Sequence, residues 1–226
     1  MPAWVFHPEE GGPFPVVLYL MDAPSIRPAL VDMASRLATA GYYVVLPYLF
    51  YRGGPFREFG SSDEDMHARR ELMDAITASG IVSDATTMLD FAAGDPAARD
   101  GACGAVGFCM SGRWAMAIAQ AMPNRLAAAA SIHGAWLVGD GDDSAHRNVD
   151  RITAELYFGW CANDATAPVD QIPVMRDALE SAGIRHRIEF IDDAVHGYAP
   201  PGSERYHRAR SEQHWERVHA LLQRNL

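Results

Sequence analysis

A cysteine in a glycine-rich turn is the feature of this sequence best suited to chemistry. Cys109 lies in the run Gly107-Phe108-Cys109-Met110-Ser111-Gly112, between a short apolar segment at 102–106 and an Ala/Met/Ile-rich segment at 113–122. This order predicts a buried strand, a tight turn and a helix, with glycines removing Cβ atoms that would collide in a strained turn. The helix N-terminus favours a thiolate and offers N–H groups to an oxyanion. The pattern indicates either a nucleophilic cysteine or a buried cysteine in an ordinary strand-to-helix turn.

A nucleophile of this kind needs a histidine as base and a carboxylate that orients the histidine. Asp164 follows a strand predicted at 153–159, and His196 follows a strand predicted at 186–191. The chain order of nucleophile, acid and histidine is typical of such a turn on an α/β sheet. Because active sites lie beyond the carboxyl ends of parallel strands, we predict a catalytic triad of Cys109, Asp164 and His196.

Other acids and histidines fit these roles less well. Asp192 and Asp193 lie too close to His196 along the chain, and Asp170 falls in the first turn of a predicted helix, where acids favour the helix dipole. His133 ends a strand near the turn, and it either lines the pocket or is a core-edge histidine. The last predicted helix carries three histidines on an expected solvated polar face: His207, His214 and His219. Four histidines have no strand-end placement: His7, His67, His146 and His186. Two cysteines are expected to pack in the core: Cys103 and Cys161.

The composition narrows the class of protein. With 226 residues, 49% of them hydrophobic, the chain is expected to form one domain over 1–226 with an ample core. Its formal charge of −10 argues against binding to nucleic acid or anionic membranes, and no run of about 18 apolar residues predicts a membrane span. The N-terminal residues lack the features of a signal peptide. Three cysteines without paired spacing predict a reducing, cytoplasmic location, and the absence of Cys-x-x-Cys and His-x-x-x-His predicts no zinc site.

Apolar periodicity predicts strands that alternate with helices. The predicted strands are residues 16–20, 43–46, 102–106, 126–132, 153–159 and 186–191. The predicted helices are residues 28–40, 67–78, 82–93, 113–122, 169–182 and 204–222. Residues 50–65 are polar and rich in glycine, and predict a long loop of the kind that lines a site. The alternation indicates the α/β class, with a mostly parallel central sheet and helices on both faces.

These motifs together resemble the dienelactone hydrolase family, a cysteine branch of the α/β-hydrolases. The turn matches the family's Gly-x-Cys-x-Gly-Gly pattern, with Ser111 at a usual glycine. Residues 16–22 match its first core strand and the acid that follows. Residues 47–52 match the loop after the next strand, with Tyr48 at a usual Asp. Asp164 and His196-Gly197 match the acid and the base, so the similarity runs from about residue 16 to 222.

The resemblance implies an α/β-hydrolase fold without a cofactor, which hydrolyses a lactone or small carboxylic ester through an acyl-cysteine intermediate. The expected partner is that small-molecule substrate, with no nucleic acid or membrane, and the chain is expected to be a monomer or homodimer. A general carboxylesterase or thioesterase is the alternative enzyme. A small-molecule binding protein with an idle triad is the alternative outside the enzymes.

The same resemblance extends the site beyond the triad. The backbone N–H groups of Met110 and Ala23 are expected to hold the oxyanion. Asp22, where the family usually has glutamate, is expected near the sulfur of Cys109 and to influence the protonation of the thiol. The alternative role of Asp22 is that of a loop-capping acid after a strand.

One departure from the family concerns substrate charge. The best-known members carry an arginine after the catalytic histidine that binds the substrate carboxylate, but residues 199–201 here are Ala-Pro-Pro. We therefore expect a pocket less selective for anions than that of the family's namesake. Four arginines are candidates to replace the missing cation: Arg27, Arg52, Arg69 and Arg70. Two further residues are predicted to line the substrate pocket: His133 and Tyr198.

Overall fold

Seven strands form one sheet in the computed structural model, which describes residues 1–226. They are β1 (Ala3–Phe6), β2 (Phe14–Leu20), β3 (Tyr43–Pro47), β4 (Ala98–Phe108), β5 (Leu126–Ile132), β6 (Glu155–Cys161) and β7 (His186–Ile191). Their order across the sheet is β1-β3-β2-β4-β5-β6-β7. β1 runs antiparallel to β3, and the other neighbouring strands are parallel. The predicted α/β class with a mostly parallel sheet is confirmed.

Helices cover both faces of this sheet. They are α1 (Pro28–Thr39), α2 (Asp63–Asp74), α3 (Ala78–Ala93), α4 (Gly112–Ala121), α5 (Gln171–Ser181) and α6 (Arg208–Asn225). Two glycines of β4 show that α4 and α6 lie on opposite faces of the sheet, because odd and even residues of a strand point to opposite faces. A Cβ on Gly104 would lie 2.8 Å from Leu222 of α6, whereas one on Gly107 would collide with the backbone of Ser111, just before α4. None of the helices has the length and hydropathy that a membrane crossing requires.

Small residues in the central strands allow this close approach of the helices. Gly104 and Gly107 lie in β4, and β5 contributes the alanines at 128–130, all buried. Larger side chains from the flanking strands, among them Leu18 and Trp160, fill the remaining space within a cluster of 65 buried residues. The close packing holds the carboxyl ends of the strands in fixed positions, which is what a catalytic site requires.

The strand order creates a crevice at the carboxyl edge of the sheet. From β2 the chain continues to β3 on one side, and from β3 it crosses to β4 on the other side of β2. In open α/β sheets, ligands bind where the connections from neighbouring strands diverge in this way. Cys109 directly follows β4, and Asp22 and Ala23 follow β2. The topology thus places the predicted nucleophile and the predicted oxyanion loop side by side.

Several helix boundaries differ from the prediction, and β1 has no predicted counterpart. α2 begins at Asp63, inside the segment predicted as loop, because Ser62 caps it: the Ser62 hydroxyl accepts from the N–H of Asp65 at 3.2 Å. α3 begins at Ala78 after Thr77, whose hydroxyl accepts from a backbone N–H in the same way. Polar capping residues resemble loop residues in sequence, which explains these shifts.

His214 contradicts the expectation that the histidines of the last helix are solvated. Its side chain is buried, its ring stacks on Trp215 at a centroid distance of 5.2 Å, and burial lowers its pKa to about 3. Ser211, His214, Trp215 and Val218 recur at helical spacing and form the face of α6 that is buried in the fold. The position of His214 on that apolar stripe decides its burial, even though its residue type suggested exposure.

Candidate active site

The backbone of Cys109 adopts the strained conformation expected of a nucleophile turn. Its φ is +55°, in the left-handed region that residues with a Cβ rarely occupy. Gly107 and Gly112 flank the turn, and at both positions a Cβ would collide with neighbouring chain, including the side chain of Ser131 at Gly112. Cys109 is partly exposed, whereas Cys103 and Cys161 are buried. The turn therefore presents one thiol of the three.

The three residues of the predicted triad lie in hydrogen-bonding contact. His196 Nε2 is 3.0 Å from Cys109 Sγ, and His196 Nδ1 is 2.6 Å from Asp164 Oδ2. Each of the three follows a different strand: Cys109 follows β4, Asp164 follows β6 and His196 follows β7. The parallel sheet brings them together because the carboxyl ends of these strands share one edge. This arrangement allows a proton to move between the sulfur and the imidazole while the carboxylate holds the ring.

Thr166 orients the acid, and the sequence analysis did not identify it. Asp164 is 5% exposed, and its Oδ1 accepts both the backbone N–H of Thr166 at 2.8 Å and the Thr166 hydroxyl at 2.6 Å. Oδ2 is left for His196. A hydroxyl residue two positions after an aspartate is a common turn pattern, and that pattern was the available signal. Thr166 fixes which oxygen of the carboxylate faces the histidine.

The hydrogen bonds of the triad favour an ion pair. Burial alone lowers the pKa of His196, but hydrogen bonds to Asp164 and Cys109 raise it to about 10. Burial alone raises the pKa of Asp164, and hydrogen bonds from His196 and Thr166 outweigh that effect and hold the pKa below its usual value. At neutral pH the ring is therefore a cation between the sulfur and an anionic carboxylate.

The predicted oxyanion donors lie on two loops that one hydrogen bond joins. The N–H of Ala23 donates to no protein group, and Met110 lies in the short 3₁₀ turn Cys109–Ser111, where first-turn N–H groups lack helical partners. The buried Ser111 hydroxyl donates to the backbone oxygen of Met21 at 2.5 Å. Ser111, which replaces a usual glycine of the family, thereby ties the nucleophile turn to the loop that carries Ala23.

Asp22 and Arg27, predicted in separate roles, form an ion pair with each other, in which Asp22 is buried and Arg27 is half-buried. Arg27 donates to both carboxylate oxygens of Asp22, at 2.6 and 2.8 Å, and to the backbone oxygen of Ser25 at 3.0 Å. Asp22 is 4% exposed and makes no hydrogen bond to Cys109. The pair occupies the guanidinium edge that would otherwise be free for a substrate carboxylate. The Asp22 carboxylate is thus paired with a side chain of its own loop, and it accepts no backbone N–H of the kind that a loop-capping acid would accept.

The three other candidate arginines differ in their burial and in their carboxylate partners. Arg52 binds both oxygens of the buried Asp84 at 2.7 Å, so its charge is already paired. Arg70 lies on the exposed side of α2 and is 3.5 Å from Asp74. Arg69, also on α2, is half-buried and has no carboxylate within 4 Å.

His133 and Tyr198 lie behind His196 rather than on an open pocket surface. Both are buried, and the His133 ring packs edge-on against His196 and Tyr198 at centroid distances of 5.2 and 5.4 Å. Neither ring nitrogen of His133 has a hydrogen-bond partner, and burial lowers its pKa well below the usual value, so the ring is neutral. The N–H of His133 donates to the carbonyl of Gly159 in the neighbouring strand β6 at 2.9 Å. His133 thus packs against His196 from the core, Tyr198 packs against His133, and neither lines an exposed pocket.

No group of three or more His, Cys, Asp or Glu side chains in residues 1–226 is arranged to hold a metal ion.

Comparison with known proteins identifies the family. Residues 1–226 match the profile of the dienelactone hydrolase family. This chain belongs to that family.

Two relatives of this dienelactone hydrolase family member extend over nearly the whole chain. A carboxymethylenebutenolidase from Rhodococcus opacus is 25% identical over 214 residues, which cover 93% of this chain and 81% of that protein. A protein of Synechocystis sp., described as a candidate carboxymethylenebutenolidase, is 26% identical over 227 residues, covering 99% of this chain and 91% of its own. The chain is accordingly a hydrolase of the dienelactone hydrolase type, from a family that acts on small molecules.

Solved structures show the same fold. A candidate dienelactone hydrolase from Klebsiella pneumoniae superimposes with a TM-score of 0.86 at 24% identity, covering 98% of this chain and 92% of that one. A dienelactone hydrolase-like promiscuous phosphotriesterase from metagenomic libraries gives a TM-score of 0.77 at 19% identity, covering 96% and 88%. The α/β-hydrolase fold implied by the resemblance is confirmed.

Proposed function

We propose that this family member cleaves a lactone or small carboxylic ester, with Cys109 as nucleophile, His196 as base and Asp164 as orienting acid. The contact of His196 with Cys109 Sγ through one ring nitrogen and with Asp164 through the other carries this proposal. The left-handed backbone of Cys109 supports it, since strain of this kind clusters at functional sites.

The reaction proceeds in two halves. The Cys109 thiolate forms a bond to the carbonyl carbon, and the N–H groups of Met110 and Ala23 receive the oxyanion. When this intermediate collapses, the C–O bond breaks and imidazolium His196 gives its proton to the leaving alkoxide. In a lactone, that alkoxide stays attached to the acyl group. His196 then takes a proton from water, the hydroxide attacks the acyl-cysteine, and the C–S bond breaks to restore the thiolate.

Two features of the chain bear on its expected location in the cell and on its oligomeric state. The chain carries free cysteines, one of them partly exposed, which suits a reducing compartment such as the cytoplasm. The catalytic set lies within one chain, so a monomer is sufficient and a homodimer is compatible with it.

Hydrolysis of 4-nitrophenyl acetate, together with a panel of lactones and short aryl esters, tests the proposal. Wild type is expected to release nitrophenol, and Cys109→Ala is expected to be inactive. Cys103→Ala removes a buried thiol elsewhere and is the matched control, which should stay active. Mass spectrometry of the wild type quenched with acid should find an acetyl group on the peptide containing Cys109. An active Cys109→Ala, or a wild type that only binds these esters, would contradict the proposal, and the second result would favour a binding protein.

A further inference from the structure

His133 is a buried histidine whose ring packs directly against the ring of His196. The two ring centroids are 5.2 Å apart, and the two ring planes meet at 81°. His133 is 1% exposed, neither of its ring nitrogens has a hydrogen-bond partner, and its backbone has a left-handed φ of +40°. Buried polar atoms without partners and left-handed backbone both lower the stability of the fold, and backbone strain of this kind clusters at functional sites.

The backbone around His133 fixes its ring relative to the nucleophile. The N–H of His133 donates to the carbonyl of Gly159 in β6, and the N–H of Ala135 donates to the carbonyl of Cys109, both at 2.9 Å. The segment that carries the ring is therefore anchored to the sheet on one side and to the nucleophile turn on the other.

His196 lies on a segment that is held less firmly. It follows β7, and its own N–H and carbonyl make no backbone hydrogen bond. The polar contacts of its ring all lie at the two nitrogens: Nδ1 contacts Asp164 and, at 3.4 Å, the Thr166 hydroxyl, and Nε2 contacts Cys109. Contacts at two points of a ring leave it free to tilt about the line that joins them. A ring packed nearly perpendicular to it, as that of His133 is, blocks this tilt.

The need for this support changes during the reaction. While Cys109 is a thiolate, both nitrogens of the His196 ring are held. Once the sulfur carries the acyl group it is a weak acceptor without charge, so the contact at Nε2 is lost. The ring must then take a proton from water at Nε2 while Asp164 holds it at Nδ1 alone. We propose that His133 is a positioning residue that keeps the His196 ring in place during hydrolysis of the acyl-cysteine, an inference that rests on the proposed function.

Separate measurement of the two half-reactions tests this role. With enzyme in excess over 4-nitrophenyl acetate, the release of nitrophenol gives the rate of acylation, and the loss of acetyl from the Cys109 peptide gives the rate of deacylation. His133→Ala should slow deacylation roughly tenfold to hundredfold and acylation less than about threefold, so that acetylated enzyme accumulates.

Two further variants separate the ring from the fold. His133→Asn also lacks the ring, and asparagine tolerates a left-handed backbone, so it should show the same split between the half-reactions if His133→Ala fails to fold. His133→Phe keeps a flat ring and loses both unpartnered nitrogens. It should restore deacylation to within about threefold of the wild type, because the proposed role needs the ring and not its nitrogens.

His214→Ala is the matched control. His214 is likewise buried with both ring nitrogens unpartnered. The rings of His133 and His214 both pack against Phe108 and Tyr198, but only that of His133 packs against His196. A general loss of core packing predicts similar effects in the two variants, whereas the positioning role predicts slow deacylation in His133→Ala alone.

A proton NMR measurement separates this inference from the proposed function. Iodoacetamide converts Cys109 to a thioether, which carries no thiolate, as in the acyl-cysteine. In the alkylated wild type and alkylated His214→Ala, the proton between His196 Nδ1 and Asp164 should give a sharp downfield resonance, and in alkylated His133→Ala exchange should broaden it. If the wild type hydrolyses no ester but this difference is observed, the proposed function fails and the positioning of His196 by His133 stands.

Several results would overturn the role of His133. They are unchanged deacylation in His133→Ala, equal slowing of both half-reactions, the same slowing in His214→Ala, and slow deacylation in His133→Phe. A sharp downfield resonance in alkylated His133→Ala would overturn it as well.

Discussion

The substitution Asp164→Asn tests how the acid controls the histidine. In the native site, three donors reach the carboxylate: the N–H and hydroxyl of Thr166 on Oδ1, and His196 on Oδ2. An amide has the same shape but only one acceptor oxygen. If that oxygen faces His196, the amide NH2 meets the backbone N–H of Thr166, which cannot rotate away. If the oxygen faces Thr166, the NH2 points at His196 Nδ1 and forces that nitrogen to give up its proton.

The second orientation is favoured, and its cost to catalysis can be estimated. A buried donor left without an acceptor costs about 1–3 kcal/mol, so the productive tautomer is disfavoured by roughly fivefold to 150-fold. Loss of the carboxylate also removes the charge that supports the imidazolium form of His196. Together these effects should lower kcat by roughly 10²–10⁴, with KM and the fold nearly unchanged. The remaining tautomer carries its proton on Nε2, facing Cys109, where it cannot accept another.

Initial rates on 4-nitrophenyl acetate give kcat and KM for this variant. Asp193→Asn is the matched control, since Asp193 is half-exposed and paired with Arg210 at 2.6 Å. The pH dependence of alkylation by iodoacetamide gives a second readout, because Asp164→Asn should lower the pKa of His196. Retention of more than about a tenth of the wild-type kcat would refute the tautomer argument. A loss of activity in Asp193→Asn instead would show that a different carboxylate is the acid.

Three further expectations follow from the site. Iodoacetamide should label Cys109 before Cys103 and Cys161, because burial raises the pKa of both other thiols, that of Cys103 to about 11; equal labelling would contradict this. The raised pKa of His196 should stabilise the fold fully below about pH 6.5, with the contribution lost as pH rises through about 10. Thermal melts of wild type and His196→Gln should therefore converge over that range, and parallel curves would count against it. Ser111→Ala should lower kcat roughly threefold to tenfold with KM unchanged, because the oxyanion loop loses about 1 kcal/mol of anchoring; a change confined to KM would exclude this role.

The sequence by itself predicted the chain order of the proposed triad and the chemistry that it would perform. Glycines at fixed distances from Cys109, together with an acid and a histidine that each follow an apolar strand, are local signals. They work because a parallel sheet gathers its carboxyl ends at one edge whatever the loops contain. The alternation of strands and helices can likewise be read from short stretches of sequence, and it predicted the α/β class. Element ends were less certain, since a capping serine such as Ser62 resembles a loop residue until its hydrogen bond is formed.

Only the tertiary structure decided which charged and polar groups meet. Asp22 and Arg27 each suggested a separate role in sequence, and the chain pairs them. Conversely, Arg113 carried no signal in the sequence, because its character comes from its surroundings: two indole rings lie against its guanidinium, and no carboxylate lies within 4 Å of it. His214 likewise owes its burial to the face of α6 that packs inside. Pairing and desolvation depend on distances between residues far apart in the chain, and folding alone sets those distances.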